Sequence, residues 1–129
     1  ALLLFRAGDG TPKAVPLGLV ARIETVERGQ IETSGGRPLV QYRGRLMPLV
    51  PLDPTWSVGA APERQPVLVF GEAGRSFGLV VEEILDVMEE RLAVDAAGAR
   101  PGFLGCAVIA GRVTELIDTA WWLGQTGED

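Results

Sequence analysis

The chain contains Gly44-Arg45-Leu46-Met47-Pro48-Leu49-Val50, and 67 positions later it contains Gly111-Arg112-Val113-Thr114-Glu115-Leu116-Ile117. In both copies a Gly-Arg pair is followed by apolar residues at the same spacing. Two further pairs of segments match in the same order: Leu2–Phe5 with Val67–Phe70, and Gly18–Val20 with Gly78–Val80. Self-similarity at a nearly constant spacing is typical of a duplicated architecture, so we expect two similar halves.

Short apolar runs make up most of the remaining sequence. They are rich in Val, Ile and Leu, and turns such as Gly8-Asp9-Gly10 and Ser34-Gly35-Gly36 separate them. Many short strands with frequent turns are typical of an all-β barrel or sandwich. A length of 129 residues fits one domain. We expect a single domain over residues 1–129, with a first subdomain at about 1–56 and a second at about 63–123, joined near Pro54–Pro66.

Residues Val80–Leu92 carry a pattern that conflicts with the all-β interpretation. Apolar side chains recur there at every fourth position and acids lie between them, which is the period of an amphipathic helix. A strand is compatible with this pattern only if it is interrupted or bulged near Glu82-Glu83. The segment is therefore the least certain part of the secondary structure.

The window Glu82–Asp95 holds six acids and one arginine. Its net charge of −5 equals that of the whole chain, whereas residues 1–64 have a net charge of +2. Neighbouring carboxylates point in different directions, and no calcium-binding loop pattern is present. We expect a solvated or partner-facing surface here and not a metal site. Opposite charges on the two halves also favour head-to-tail association.

Several classes of function are excluded by residues that the chain lacks. It has no histidine and no asparagine, and Lys13 and Cys106 are its only lysine and cysteine. A Ser-His-Asp centre, a Cys-His centre and a His-ligated metal are therefore impossible. The net negative charge opposes nucleic acid binding, and no apolar run approaches the 20 or so residues of a membrane span. We predict no catalytic residue, no cofactor, no metal, no nucleic acid partner, no membrane insertion and a cytoplasmic location.

Three blocks of the sequence resemble the signature segments of CheW-like domains. Tyr42–Leu52 resembles the R-G-x-x-x-P-V-x-x-L signature, and Phe77–Ile84 resembles the G-L-x-V-D-x-V segment. Pro101–Asp118 resembles the P-G-I-x-G-A-x-I-x-G-x-V-x-x-I-x-D ending. This last form is closer to the regulatory domain of the chemotaxis histidine kinase CheA than to the free coupling protein CheW. The first block and the start without methionine resemble the hybrid CheA kinases, which carry a receiver, so the chain reads as a piece of a longer protein.

The resemblance implies two tandem SH3-like five-stranded β-barrels, packed side by side around a shared hydrophobic core. Phe77–Met88 then lies on strands, and the global pattern overrides the helical period. The resemblance implies that this chain has no enzymatic activity and that it has a regulatory and scaffolding role in a chemotaxis-type sensor histidine kinase. The implied partners are a CheW-like coupling protein, the cytoplasmic tip of a chemoreceptor and other domains of the same kinase. The alternatives are a free-standing CheW adaptor and a small-molecule-binding or enzymatic domain that uses the inter-barrel cleft.

Two sets of residues are candidates for specific roles. A structural motif is expected at Glu24, Arg43, Gly44, Gly78, Gly102, Gly105, Gly111 and Asp118. Within it, Arg22 stands where the family carries a glutamate, so we expect Glu24, on the same strand face, to pair with Arg43. The partner interface is expected on Leu39–Met47, because a barrel of about 65 residues cannot bury so many apolar groups. Its residues are Leu39, Val40, Tyr42, Leu46 and Met47.

Overall fold

The computed structural model describes residues 1–72 and 74–126, with only the backbone of Glu72. This part of the chain forms short strands and one short helix, α1, at Thr119–Gly124. The strands are β1 (Leu2–Arg6), β2 (Lys13–Pro16), β3 (Arg22–Glu27), β4 (Glu32–Ser34), β5 (Arg37–Tyr42), β6 (Arg45–Pro51), β7 (Arg64–Glu72), β8 (Arg75–Val80), β9 (Glu83–Met88), β10 (Phe103–Ile109) and β11 (Arg112–Ile117). Single 3-10 turns lie at Leu17–Leu19, Arg28–Gln30, Val58–Ala60 and Ala96–Gly98. The predicted all-β class is confirmed.

The strands form two sheets that repeat one topology. Sheet A has the order β10-β11-β2-β1-β9, and sheet B has the order β3-β7-β8-β6-β5-β4. Apart from the additional β4, each strand of sheet A has a counterpart in sheet B: β1 and β7, β2 and β8, β9 and β3, β10 and β5, β11 and β6. Each sheet also contains one parallel pair at its centre, β11 with β2 in sheet A and β6 with β8 in sheet B. The architecture is therefore duplicated, as the sequence predicts.

Each sheet takes strands from both halves of the chain. The hairpin β1–β2 belongs to the first half of the sequence but lies in sheet A with β9–β11, and the hairpin β7–β8 of the second half lies in sheet B. The predicted boundaries at 1–56 and 63–123 therefore do not separate the two sheets. A repeat in the sequence shows which strands are equivalent, but it does not show with which half each hairpin pairs.

The repeat of Gly44–Val50 at Gly111–Ile117 lies in equivalent hairpins of the two sheets. Arg43-Gly44 and Ala110-Gly111 both have positive φ angles, near 52° and 78° in the first turn and 51° and 77° in the second, as a type I′ turn requires. The strands that follow are in register too, because Leu49 pairs with Gly78 and Leu116 pairs with Ala14.

This register corrects one of the three sequence matches. The structural counterpart of Gly78 is Ala14 and not Gly18, which lies in the 3-10 turn Leu17–Leu19. The match between Gly18–Val20 and Gly78–Val80 is therefore wrong, and short aliphatic triplets in a β-rich chain explain how it arose.

The hydrophobic core has a central layer between the sheets and a separate cluster within each sheet. The central strands β1 and β7 are buried on both faces, so that their alternate residues contribute to different clusters. Leu3 and Phe5 pack with Leu68 and Phe70 in the central layer, which agrees with the shared core implied by the resemblance. The remaining residues of these strands belong to the separate clusters: Leu2 and Leu4 in sheet A, and Val67 and Val69 in sheet B.

The segment Val80–Leu92 is extended and contains no helix. Strand β8 ends at Val80 and β9 begins at Glu83. The extended segment is therefore interrupted near Glu82-Glu83, which is the condition under which the sequence pattern is compatible with strands. A bulge near Leu85 shifts the register against β1, with Ile84 opposite Phe5 and Met88 opposite Leu2. Ile84 consequently packs on the central layer and Met88 on the sheet A cluster. The helical spacing of apolar residues therefore results from a bulged strand, whose side chains pack on both the central layer and the sheet A cluster.

Candidate protein-interaction surface

The predicted partner interface is only partly a surface. Leu46 is 63% exposed, whereas Met47 is 2% exposed and lies with Val40 in the sheet B cluster. Val40 is the cross-strand partner of Met47, so both point inward from β5 and β6. Leu39 and Tyr42 are half-buried. The prediction that Val40 and Met47 face a partner is wrong, because the two sheets bury more apolar surface than an isolated barrel of that size does.

The predicted ion pair between Arg43 and Glu24 is absent. Glu24 lies on β3, opposite Val67 of β7, while Arg43 lies in the β5–β6 turn. Within residues 1–72 and 74–126, Arg43 forms no hydrogen bond and no ion pair; its guanidinium carbon lies 5.7 Å from the centre of the Tyr42 ring. The prediction that Glu24 pairs with Arg43 is therefore wrong.

The predicted structural glycines occupy turns and close contacts. Gly44 and Gly111 form the hairpin turns described above. A Cβ atom on Gly78 would lie 2.6 Å from Val67 and 2.8 Å from Leu49, so this position in β8 has no room for a side chain. Gly105 has a φ of 147°, and its backbone passes directly against the carbonyl group of Asp95.

Gly102 and Asp118 hold α1 against the end of sheet A. The indole nitrogen of Trp122 donates a hydrogen bond of 2.9 Å to the carbonyl oxygen of Gly102. The carboxylate of Asp118 accepts a hydrogen bond of 3.3 Å from the backbone nitrogen of Trp121, and the backbone nitrogen of Asp118 donates to Gly102 as well. Both residues therefore have structural contacts at the positions that the resemblance indicates.

The acids of the window Glu82–Asp95 are all exposed and dispersed. Glu82 accepts a hydrogen bond of 3.2 Å from the backbone nitrogen of Gly8, and Glu83 pairs with Arg6 at 3.1 Å. Among the residues that the structure describes, no three His, Cys, Asp or Glu side chains converge on a common point. The window thus forms an acidic solvent-exposed surface.

An exposed apolar face covers the edge of sheet A, and the sequence reasoning missed it. Val108 of β10 lies opposite Val113 of β11, and the two are 68% and 59% exposed. Leu104 and Val94 extend the same region, and the backbone of Asp95 pairs with that of Cys106 in β10. We name Val94, Leu104, Val108 and Val113 the β10–β11 apolar face. Exposed apolar patches of this kind mark interaction sites.

A hollow of about 540 Å³ adjoins this face, with Ala93, Ala97, Cys106, Val108 and Val113 among its lining residues. A sequence signal for the face was present. Almost every residue of β10, from Phe103 to Ile109, is apolar or glycine, although only alternate ones, such as Ala107 and Ile109, point into the core. β10 is the last strand in the order of sheet A, and Leu104 and Val108 on its second side are apolar and exposed.

Comparison with known proteins identifies the family. Residues 1–120 match the CheW-like domain family. The chain belongs to the CheW-like domains. A similar solved structure is the scaffolding protein TtCheW from Thermoanaerobacter tengcongensis, with a TM-score of 0.67 and 13% identity over 91% of this chain and 87% of that one. No curated protein sequence matches the chain significantly.

As a CheW-like domain, the chain is a scaffolding domain of chemotaxis signalling. Arg43 and Glu82 do not line a common pocket. They line two separate hollows of about 400 and 290 Å³. No helix among the described residues is long and apolar enough to cross a membrane.

Proposed function

We propose that this CheW-like domain is the regulatory and scaffolding domain of a chemotaxis-type sensor histidine kinase. It couples chemoreceptors and CheW to control of the kinase through contacts between CheW-like domains. The observation that carries the proposal is the β10–β11 apolar face, because a scaffold needs an exposed surface that becomes stable only when a partner covers it. The block Pro101–Asp118, which resembles the ending of CheA, favours a kinase domain over an adaptor.

The partner at this face is another CheW-like domain, which presents the hairpin equivalent to β5–β6 here. In this chain that hairpin carries an exposed Leu46, the counterpart of Val113, between Arg45 and the core residue Met47. Val94 of the β10–β11 apolar face lies within the acidic window Glu82–Asp95, and the backbone of Asp95 at the end of that window pairs with Cys106 of β10. An apolar contact between the two hairpins would therefore be flanked by opposite charges, which accelerate encounter and fix the orientation.

The test is a calorimetric titration of the domain with a CheW coupling protein encoded by the same genome. The variants Val108→Asp and Val113→Asp are expected to weaken binding at least about 30-fold, which corresponds to a loss of about 2 kcal/mol typical of a central contact residue. The control is Leu19→Asp, which changes another exposed apolar side chain, one that is 52% exposed and does not belong to the β10–β11 apolar face. Unchanged affinity in both face variants, or an equal loss in the control, contradicts the proposed surface.

The alternative function is a free-standing CheW adaptor, and the fold similarity to the scaffolding protein TtCheW supports it equally. Either protein would contact the cytoplasmic tip of a chemoreceptor. The reading frame of the complete gene distinguishes the two functions. A kinase core with a phosphoacceptor histidine in the same polypeptide supports the kinase domain, and a coding sequence confined to the CheW-like domain supports the adaptor.

A further inference from the structure

A hollow near the ends of β1 and β8 combines an apolar lining with two carboxylates. It has a volume of about 290 Å³ and also adjoins the connection from β6 to β7. We name it the Trp56 hollow; its lining includes Ala7, Asp53, Trp56, Val80, Val81 and Glu82. Ala7, Val80 and Val81 are buried. The volume is close to the lower limit for ligand pockets, so the hollow has room for a small ligand or a single side chain.

The two acids of the Trp56 hollow lie on either side of the backbone of Gly8. The Oε1 atom of Glu82 accepts a hydrogen bond of 3.2 Å from the backbone nitrogen of Gly8, and a Cβ atom on Gly8 would lie 4.0 Å from the Cα atom of Asp53. The Oδ1 atom of Asp53 accepts hydrogen bonds from the backbone nitrogen and the hydroxyl group of Thr55, at 2.9 and 2.7 Å. The second oxygen of each carboxylate has no hydrogen-bond partner among the described residues and is free to accept a donor from a ligand.

No basic side chain neutralises these acids. All twelve Lys and Arg side chains of the chain belong to residues that the structure describes. None of them lines the Trp56 hollow or forms an ion pair with Asp53 or Glu82 there. Arg75 lies beside the turn of the hairpin β7–β8, whereas Val80, which lines the hollow, lies at the other end of that hairpin. The hydrogen bonds from Thr55 hold the pKa of Asp53 below its ordinary value of 3.8, so that its carboxylate is charged at neutral pH.

A fixed aromatic ring forms part of the wall. The indole nitrogen of Trp56 donates a hydrogen bond of 3.0 Å to the side-chain oxygen of Gln65, which is 2% exposed. The side-chain nitrogen of Gln65 donates in turn to the carbonyl oxygens of Pro66 and Val81. An indole ring beside carboxylates, with apolar residues around it, is an environment that favours organic cations. A divalent metal ion needs more oxygen ligands than two carboxylates provide, and the described residues contain no group of three acids.

We propose that the Trp56 hollow binds an organic cation, a guanidinium or alkylammonium group on a short apolar stem. The free oxygens of Asp53 and Glu82 accept hydrogen bonds from the charged group. The stem packs against Trp56 and Val81, where the removal of apolar surface from water adds to the affinity. A free amine and a basic side chain of another protein both carry such a group, and the experiment below distinguishes them. No lining residue belongs to the β10–β11 apolar face, so the site does not depend on the proposed function.

The experiment is an NMR titration of the nitrogen-15-labelled domain with two cations. Agmatine represents a free amine, and the peptide acetyl-Gly-Arg-Gly-amide represents a protein side chain. Neutral butylurea, and sodium chloride at equal ionic strength, are the references. We expect at least one cation to shift the indole signal of Trp56 and the amide signal of Gly8 in a saturable way, without shifting the indole signal of Trp122 at the end of sheet A. Tighter binding of agmatine identifies a free amine as the ligand class, and tighter binding of the peptide identifies a protein side chain.

Substitution locates the site within the molecule. The double variant Asp53→Asn, Glu82→Gln removes both charges but keeps oxygen acceptors for Thr55 and Gly8, and it should bind the cation at least about 10-fold more weakly. The matched control Asp86→Asn, Glu90→Gln removes two charges from exposed acids outside the hollow and should bind normally.

The single variant Glu82→Gln changes only an exposed side chain. It should weaken binding at least about 3-fold, and it tests the site even if the double variant does not fold. Three results would overturn the proposal: no saturable shift at Trp56 with either cation, an equal response to butylurea or sodium chloride, or a loss of affinity in the control as large as in the variants of the hollow. Undiminished binding by Glu82→Gln and by a folded double variant would overturn it as well.

Discussion

The buried amino group of Lys13 joins β2 to β11 in the parallel pair at the centre of sheet A. Lys13 is 1% exposed, and its Nζ atom lies 2.7 Å from the carboxylate oxygen of Glu115, 2.7 Å from that of Asp9 and 2.8 Å from the carbonyl oxygen of Thr11. Glu115 in turn accepts a hydrogen bond of 2.6 Å from Arg100. The single lysine of the chain thus holds together strands from the two halves of the sequence.

The variant Lys13→Met removes this charge while keeping the apolar stem. Removal of one partner of a buried ion pair costs about 3–5 kcal/mol, because the other charge stays buried. Glu115 keeps Arg100, whose side chain is 48% exposed, so we expect the lower end of that range, a loss of about 3 kcal/mol. With a denaturant slope of about 1.5 kcal/mol per molar urea, the unfolding midpoint falls by about 2 M.

Urea unfolding followed by circular dichroism measures this change. The control Arg6→Met breaks the pair of Arg6 with Glu83, in which both side chains are about half exposed, and it should cost less than about 1 kcal/mol. The double variant Lys13→Met, Glu115→Leu should be more stable than Lys13→Met alone, since it removes both members of the pair. A loss in Lys13→Met no larger than in the control would refute the assigned role of Lys13.

Three further outcomes follow from the contacts. Gly78→Ala should lower the free energy of unfolding by about 1–3 kcal/mol, measured in urea, because its Cβ overlaps packed core side chains. Met47→Lys should unfold the domain, whereas Leu46→Lys should leave its melting curve nearly unchanged, because the first side chain is buried and the second is exposed. The hydrogen bond from Lys13 holds the pKa of Asp9 below its ordinary value of 3.8. Since a lowered carboxyl pKa gives stability that is lost as the pH falls through the folded-state value, Lys13→Met should raise the pKa in an NMR titration and weaken that acid-dependent loss.

The fold class could be predicted because turns and short apolar strands each depend on residues that lie close together in the sequence. The two Gly-Arg stretches indicated equivalent hairpins, and both positions form the same tight turn. The exchange of β1–β2 and β7–β8 between the sheets could not be predicted. The pattern of apolar residues along a strand does not show with which distant strand it pairs. Val80–Leu92 shows the same limit, since the bulge that moves Met88 to a different core depends on β1, far away in the sequence.

The interaction surface was less predictable than the fold. Apolar content around Val40 and Met47 suggested a surface, yet cross-strand pairing turns both residues inward. The exposed face around Val108 could not be predicted from the sequence, because an apolar strand has the same composition whether its second side packs in a core or faces solvent. Position in the sheet decides between these cases, and only the strand order reveals that β10 is an edge.

The most direct test of the central claim, a scaffold that docks through the β10–β11 apolar face, is a map of methyl NMR shifts. The labelled domain is titrated with an unlabelled CheW coupling protein. The account predicts that the largest changes occur at Leu104, Val108 and Val113, with Leu19 unaffected. Saturable binding that leaves those three signals unchanged, or shifts that concentrate on Leu19 and Ile23, would contradict it.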